Sequence, residues 1–581
     1  KDINRAVKCY LKALAYNPMD SEAGVSLSQL YIETGDVIQA TKLWNQVNTL
    51  TASHCSWSYV LAGQLHMILE EYESAIDTFQ KALELDANNS CCWFGLGESY
   101  SWLDQNTAAL KSFQRACDVA TSQGGSTVPV LCPMAEVERR LCMLPQALEH
   151  FESASTAAGD TDPVALQGIA EVCLAMAYDR QTYGWTRGAA RSVMEGLRAI
   201  EKFVRCYEGN ADSVPPCIMK LKGDLCCFGR YLSPFDMKDS CDNNSNNITC
   251  SMYEDILDML KKGEVAYQSV LSRIAAGAQT PSEQTESDVY IPVTEDVVAA
   301  WYDLGYALYL QALMEITAMG QGSGICSSQR LLESARIDTT TTPLGTFQRA
   351  MTAFISGLEA GEFPDHSGCW NGIGLCVRQH DALREMCFVC AAELEANPAA
   401  YANAGLLLVQ HGLYKEARQC MSAVQLMESN PLHWMTLGAL IEKETASTPP
   451  SDEKELMLAK IQQYDAYSAA LEVAKPPDAL LGIAISWMRL KGILTPDNKI
   501  QDTFSTVHLN CVTAVEVRFA VERPLRSFLE TRPLHPVAWA LLGWSYTFRG
   551  AWDMALSAYK KGVDALDVIL VNMDASRLRI S

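Results

Sequence analysis

Residues 91–116 read CCWFGLGESYSWLDQNTAALKSFQRA, and the spacing of large and small side chains in this stretch decides the fold. Trp93, Leu96 and Tyr100 stand three and four residues apart, so in a helix they share one face. Asp104-Gln105-Asn106 breaks the pattern. Ala109, Phe113 and Ala116 then resume it on a second helix. A small residue such as Gly97 or Ala109 lets two helices approach, and the large residue four positions on fills the groove between them. Cys91-Cys92 suggests a metal, and Gly95-Leu96-Gly97 a phosphate-cradling loop.

Recurrence favours packing. A small residue followed four later by an aromatic occurs as Ala6/Tyr10, Ala40/Trp44, Ala75/Phe79, Ala109/Phe113 and Ala147/Phe151, at separations of 34, 35, 34 and 38. The frame of the first helix returns at Trp301-Leu304-Gly305, Trp370-Ile373-Gly374, Tyr401-Ala404-Gly405, Trp434-Leu437-Gly438, Leu481-Gly482 and Trp539-Leu542-Gly543-Tyr546, the last followed by Ala555 and Tyr559. The period and the Trp, Leu-Gly, Tyr, Ala, Phe order resemble the tetratricopeptide repeat. The predicted fold is all-α, a solenoid of such helical hairpins in about a dozen units. One continuous array is expected over 1–581, with regular repeats in 1–160, irregular ones with long helices or inserted loops in 161–365, and further repeats in 366–581. Asn17-Pro18, Asn397-Pro398 and Asn430-Pro431 fall between units, where proline ends one helix and presets the next. The second helices at Ala199/Phe203 and Ala350/Phe354 come late. Segments 233–250, 277–292, 320–328 and 445–455 read as polar loops. Lys1–Tyr10 already has the pattern of a second helix, so the chain is expected to be a fragment of a longer one.

Composition limits function. The 581 residues are 48% hydrophobic and 20% charged, which suits a folded protein. A formal charge of −23 opposes unaided nucleic-acid binding, because Lys and Arg must neutralise phosphates. Direct contact with RNA is therefore expected to be minor at most. No apolar run is long enough to span a membrane. Many of the 21 cysteines, among them Cys9, Cys173, Cys376 and Cys420, sit in apolar helical patterns and read as free thiols of a reducing compartment. The triplets Asn243-Asn244-Ser245 and Asn247-Ile248-Thr249 are then incidental.

The chemical motifs give way one by one. Cys387 and Cys390 have zinc-ligand spacing but no second pair nearby, and both are expected to face the core. Neither Gly95-Leu96-Gly97 nor Gly372-Ile373-Gly374 follows a strand, and no third glycine or Gly-Lys-Ser/Thr completes them. Nucleophile elbows and His-Glu-x-x-His helices are absent. No catalytic residue, cofactor or metal is expected. No asparagine ladder for peptide binding is visible at Ser26, Gly95, Asn371 and Asn403, and Glu98 and Glu171 read equally as solvated face or docking patch.

The order of irregularities carries a more specific likeness. Residues 75–116, 163–177 (PVALQGIAEVCLAMA) and 369–444, together with PPCIMKLKGDLCC at 215–227, resemble the tetratricopeptide scaffold subunit of the superkiller complex, a cofactor of the cytoplasmic RNA exosome. The resemblance implies a non-catalytic, cytoplasmic and also nuclear scaffold holding a DExH-type RNA helicase and a WD-repeat β-propeller protein, with the exosome as an indirect partner, the ribosome as a further one, and no membrane contact. It also implies Gln-Arg-x-x-aromatic motifs for the propeller. Here Gln114-Arg115, Gln329-Arg330 and Gln348-Arg349 lead instead to Asp118, Glu333 and Thr352. The alternatives are a scaffold of another assembly, such as a ubiquitin ligase or transport complex, and the repeat region of a glycosyltransferase.

Overall fold

The computed structural model describes all residues except 1, 52–54, 184, 208–213, 233–253, 278–293, 319–342, 362–365, 378–379, 396, 426–430, 449–452, 474–475, 492, 495–512 and 579–581. The sequons, Gln329-Arg330 and most of the polar segments named above lie outside the described residues. The described residues form helices and no strand. In chain order these are α1 (Asp2–Tyr16), α2 (Ser21–Glu33), α3 (Val37–Leu50), α4 (Ser56–Ile68), α5 (Tyr72–Leu85), α6 (Ser90–Trp102), α7 (Asn106–Ser122), α8 (Val128–Arg140), α9 (Leu144–Ala157), α10 (Pro163–Thr182), α11 (Thr186–Cys206), α12 (Pro216–Cys227) and α13 (Glu254–Gly277). They continue as α14 (Thr294–Ala318), α15 (Pro343–Ala360), α16 (Ser367–Cys376), α17 (Asp381–Leu394), α18 (Pro398–Gln410), α19 (Tyr414–Gln425), α20 (Pro431–Ser447), α21 (Glu453–Val473) and α22 (Pro477–Leu490). The helix α23 runs through Ala514–Val517, a π-helical Arg518–Glu522 and Arg523–Thr531; α24 is Pro536–Phe548 and α25 Trp552–Leu578.

Successive helices pack as hairpins: α4 on α5, α6 on α7, α8 on α9, α12 on α13, α14 on α15, and so on to α24 on α25. Glycine on the first helix meets the aromatic on the second. An added Cβ would stand 2.5 Å from the Phe79 ring at Gly63, 2.5 Å from Phe113 at Gly97 and 2.8 Å from Phe354 at Gly305. The ring is also gripped by the following hairpin. Gly95 would bring a Cβ to 2.4 Å from Phe79, Gly372 to 2.5 Å from Phe354 and Gly482 to 2.6 Å from Tyr467. A single aromatic thus joins its own hairpin to the next, which explains why the period survives where most other positions vary.

Hairpin turns are equally regular. Amides of Asp36, Glu71, Gln105, Met143, Leu413 and Ala551 donate back to the carbonyls of Tyr31, His66, Tyr100, Glu138, Leu408 and Tyr546. This six-residue closure needs a left-handed residue just before the donor. Gly35, Gly412 and Gly550 supply it freely, whereas Glu70 (φ 60°), Asp104 (φ 55°) and Cys142 (φ 59°) take it without that freedom. Helix starts follow the prolines and polar caps. Asn397 accepts from the amides of Ala399 and Ala400 ahead of Pro398, and Asn89 from those of Cys91 and Cys92.

Two expectations need correction. Gly482 packs on the preceding Tyr467 as Gly95 does on Phe79, so the frame of α22 lies two residues later: Ala484, fully buried, holds the place of Gly97, and Trp487 that of Tyr100. The loop read at 445–455 is shorter, because α20 extends to Ser447 and α21 begins at Glu453. Of the long helices or inserted loops expected in this region, the late second helix at Ala199/Phe203 reflects long helices, 20 residues in α10 and 21 in α11. The chain forms two compact units: residues 1–175 with 195–211, and residues 176–194 with 212–581.

Candidate functional site

The repeat-frame residues occupy equivalent contacts. Trp93 and Trp539 each donate through Nε1 to the carbonyl six residues earlier, Ala87 at 3.0 Å and Pro533 at 2.7 Å. The Tyr100 and Tyr546 hydroxyls each accept from the side chain twenty residues earlier, Gln80 at 3.2 Å and Arg526 at 2.8 Å. Leu96, Ala109, Phe113 and Ala555 are buried, and Trp434 packs against Tyr467, the ring that Gly438 approaches; Gly543 meets Tyr559 in the same way. These side chains are spent on packing. What remains for binding is the solvent side of the first helices.

In the unit of residues 1–175 with 195–211, that side carries a connected polar network. Arg139 makes a two-pronged contact with Glu136 (2.8 and 2.7 Å) and an ion pair with Glu171 (3.6 Å); Gln167 donates to Glu171 at 2.9 Å. Arg140 donates to Glu136 at 3.1 Å and reaches the Ser101 carbonyl at 3.4 Å. Burial raises the Glu136 pKa, but the hydrogen bonds and charges of Arg139 and Arg140 outweigh it and leave the carboxyl below its usual range. Glu98 on α6 lacks such cations, and burial pushes its pKa up. Beside this network the Trp102 ring stacks on Tyr72 (5.6 Å, 6°) yet stays 66% exposed. An exposed, pre-oriented indole next to ordered charges is the composition of a protein-contact anchor.

The other unit has a buried counterpart. The Tyr267 hydroxyl donates to Asp224 Oδ1 at 2.6 Å, and Lys220 Nζ lies 3.2 Å from Asp303 Oδ2. Burial raises the pKa of both carboxyls; the Tyr267 hydrogen bond and Lys220 oppose it at Asp224, and Lys220 opposes it at Asp303. Nearby, Arg349 of the Gln348-Arg349 pair is engaged by Glu264. Farther along, Asn403 Nδ2 donates to Asn371 Oδ1 at 2.9 Å, so the two asparagines among the four positions compared for a ladder do meet.

The thiols divide by position. Cys92 and Cys387 are fully buried, and burial pushes their pKa values up to about 12 and about 11. Both are poor nucleophiles and poor metal ligands in that form. Cys390 is only half-buried and Cys9 is exposed, contrary to the core placement expected of them. Among the described residues no group of three or more His, Cys, Asp or Glu is placed to hold a metal, and no helix is long and apolar enough to cross a membrane. The pairing of Tyr267 with Gly223 across α12 and α13 was not anticipated; the signal was Gly263 four residues before Tyr267, glycine standing for the usual alanine.

Comparisons with known proteins agree with this geometry. The tetratricopeptide repeat family profile matches residues 58–89. Tetratricopeptide repeat protein 37 of Xenopus laevis is 23% identical over 460 residues, 78% of this chain and 26% of that protein. Superkiller complex protein 3 of Homo sapiens is 29% identical over 226 residues, covering 39% of this chain and 14% of that protein. Anaphase-promoting complex subunit 3 of Schizosaccharomyces pombe is 30% identical over 143 residues, covering 25% and 21%. The chain spans about a quarter or less of the length of these curated relatives. Its helical hairpins have the tetratricopeptide-repeat fold, and its sequence is similar to superkiller complex protein 3.

Proposed function

We propose that this chain is the repeat region of a non-catalytic scaffold that organises a DExH-type RNA helicase and a WD-repeat β-propeller protein, in a superkiller-like assembly feeding mRNA to the cytoplasmic exosome for 3′-to-5′ decay. The observation that carries the reading is the match to superkiller protein 3 sequences from Mus musculus, Homo sapiens, Saccharomyces cerevisiae and Schizosaccharomyces pombe. Physical chemistry is consistent with it. The repeat frame is committed to packing, which leaves broad helix faces for partners, and the charge of −23 favours leaving the bulk of RNA handling to another subunit. The Gln-Arg pairs lack the aromatic that would hold a propeller, so the propeller is expected to dock elsewhere. Affinity purification from cytoplasmic extract tests the proposal: an RNA helicase and exosome subunits should co-purify, and their joint absence removes it.

A second reading rests on the 30% identity to anaphase-promoting complex subunit 3. It predicts ubiquitin-ligase subunits in the same purification.

A further inference from the structure

The ends of α4 and α6 lie side by side within the unit of residues 1–175 with 195–211. Ser99 Oγ of α6 donates to Met67 Sδ of α4 at 3.0 Å, and the Trp102 ring stacks on Tyr72, the first residue of α5. These two contacts bracket residues 68–71 against the last turn of α6. The bracketed turn is itself closed, by the Glu71 amide donating to the His66 carbonyl at 2.8 Å. Three large apolar side chains are nevertheless left in water on this edge: Ile68 is 47% exposed, Leu69 53% and Trp102 66%. The repeat frame does not need them, because Phe79 and Phe113 already fill the grooves between these hairpins.

The charge here is one-sided. From Glu33 to Asp104 the chain holds ten Asp and Glu against Lys42 and Lys81, with no Arg. Some of these carboxylates are engaged: Glu71 is held by His66 at 2.7 Å, and Asp104 lies 4.0 Å from Arg140. Glu70 is exposed and Glu98 half-buried, and neither has a hydrogen bond or ion pair among the described residues. Glu98 stands one helical turn before Trp102, on the same face of α6. A half-buried carboxylate without a cation gives up solvation that a partner's Lys or Arg restores. Arg139 and Arg140 do not supply it, since both are committed to Glu136.

A membrane surface, a nucleic acid and a second copy of this chain would each meet the edge with charge of its own sign. A cationic segment meets the opposite sign, and the stem of a Lys or Arg lies well against an indole face. We infer that the edge formed by Ile68, Leu69 and Trp102, with Glu70 and Glu98, docks a basic peptide segment of a partner protein, one in which Lys or Arg stands beside large apolar residues. The inference rests on the reading of Trp102 as a contact anchor and not on the helicase assignment.

The test is fluorescence anisotropy of three labelled peptides of equal length, Lys/Leu, Glu/Leu and all-Lys, with the purified 581-residue chain at low salt. The Lys/Leu peptide should bind and the Glu/Leu peptide should not. The all-Lys peptide, lacking apolar contact, should bind at least about ten-fold more weakly. Trp102→Ala should weaken Lys/Leu binding at least about ten-fold. Leu69→Ser should act in the same direction without touching the Tyr72 stack. Glu98→Gln should weaken binding about three- to ten-fold and reduce its sensitivity to salt. Amide exchange at 66–72 and 98–104 should slow when the Lys/Leu peptide is added. The inference is overturned if that peptide does not bind, if the Glu/Leu or all-Lys peptide binds as tightly, or if all three variants bind it like the parent. Self-association of the parent that Trp102→Ala abolishes, read by sedimentation, gives the edge to a second copy and overturns it too. The predicted losses sustain the inference even where the purification described above recovers no helicase.

Discussion

Gly97 of α6 lies against the ring of Phe113 of α7 so closely that one added carbon would stand 2.5 Å from it. That distance is far inside van der Waals contact, and the ring, fully buried, has nowhere to retreat. Gly97→Ala should therefore destabilise the unit by about 1–3 kcal/mol through overpacking. Ala109→Trp, at another fully buried position, should cost at least as much. Thermal unfolding identical to the parent for both variants contradicts the assigned contact.

Phe354 makes the same contact twice, with Gly305 before it and Gly372 after it. Phe354→Ala should cost about 3–5 kcal/mol, the usual range for emptying a buried ring site. Because it also loosens the joint between α15 and α16, amide exchange should rise in α16. Exchange confined to α15 argues against the shared-ring account.

The left-handed turn residues offer a gain. Cys142→Gly and Glu70→Gly each remove a Cβ from an unfavourable conformation, and each should stabilise by about 0.5–1 kcal/mol after the loss of chain entropy is counted. The Tm should rise for both. A fall in either points to a packing role for the side chain.

Asp224 and Asp303 supply a pH dependence. Burial holds both carboxyl pKa values above their unfolded range near about 3.9. Their contribution to stability is complete below that range and is lost as pH rises through the raised folded values. Asp303→Asn should consequently stabilise the protein at pH 7 and approach the parent below about pH 4. Denaturation by urea at both pH values measures it; a destabilised variant at pH 7 shows that the Lys220 pairing outweighs burial.

The hairpins were legible because a helix that cannot bury its own face must repeat its packing residues at fixed distance. Gly97, Ala109 and Phe113 say so within one unit, and Gly543, Ala555 and Tyr559 say it again. The frame of α22 slipped by two residues for a physical reason. Glycine serves two places in the first helix, one facing its own hairpin and one facing the preceding ring, and Gly482 has only the second. The polar contacts were less legible. Asp224 and Tyr267 are 43 residues apart, and nothing local in either helix announces the other. Long helices and inserted loops stayed open as readings of α10 and α11, because a longer helix and a longer loop delay the next repeat equally.

The central claim is that the chain scaffolds an RNA-decay helicase assembly, with the network around Arg139, Arg140 and Trp102 as a contact surface. The most direct measurement is quantitative affinity purification of the parent beside R139E/R140E/W102A, each first shown to be folded by circular dichroism. The account predicts a DExH-type helicase and exosome subunits with the parent, and at least a several-fold loss of one partner with the variant. Recovery of ubiquitin-ligase or transport subunits with no helicase contradicts it.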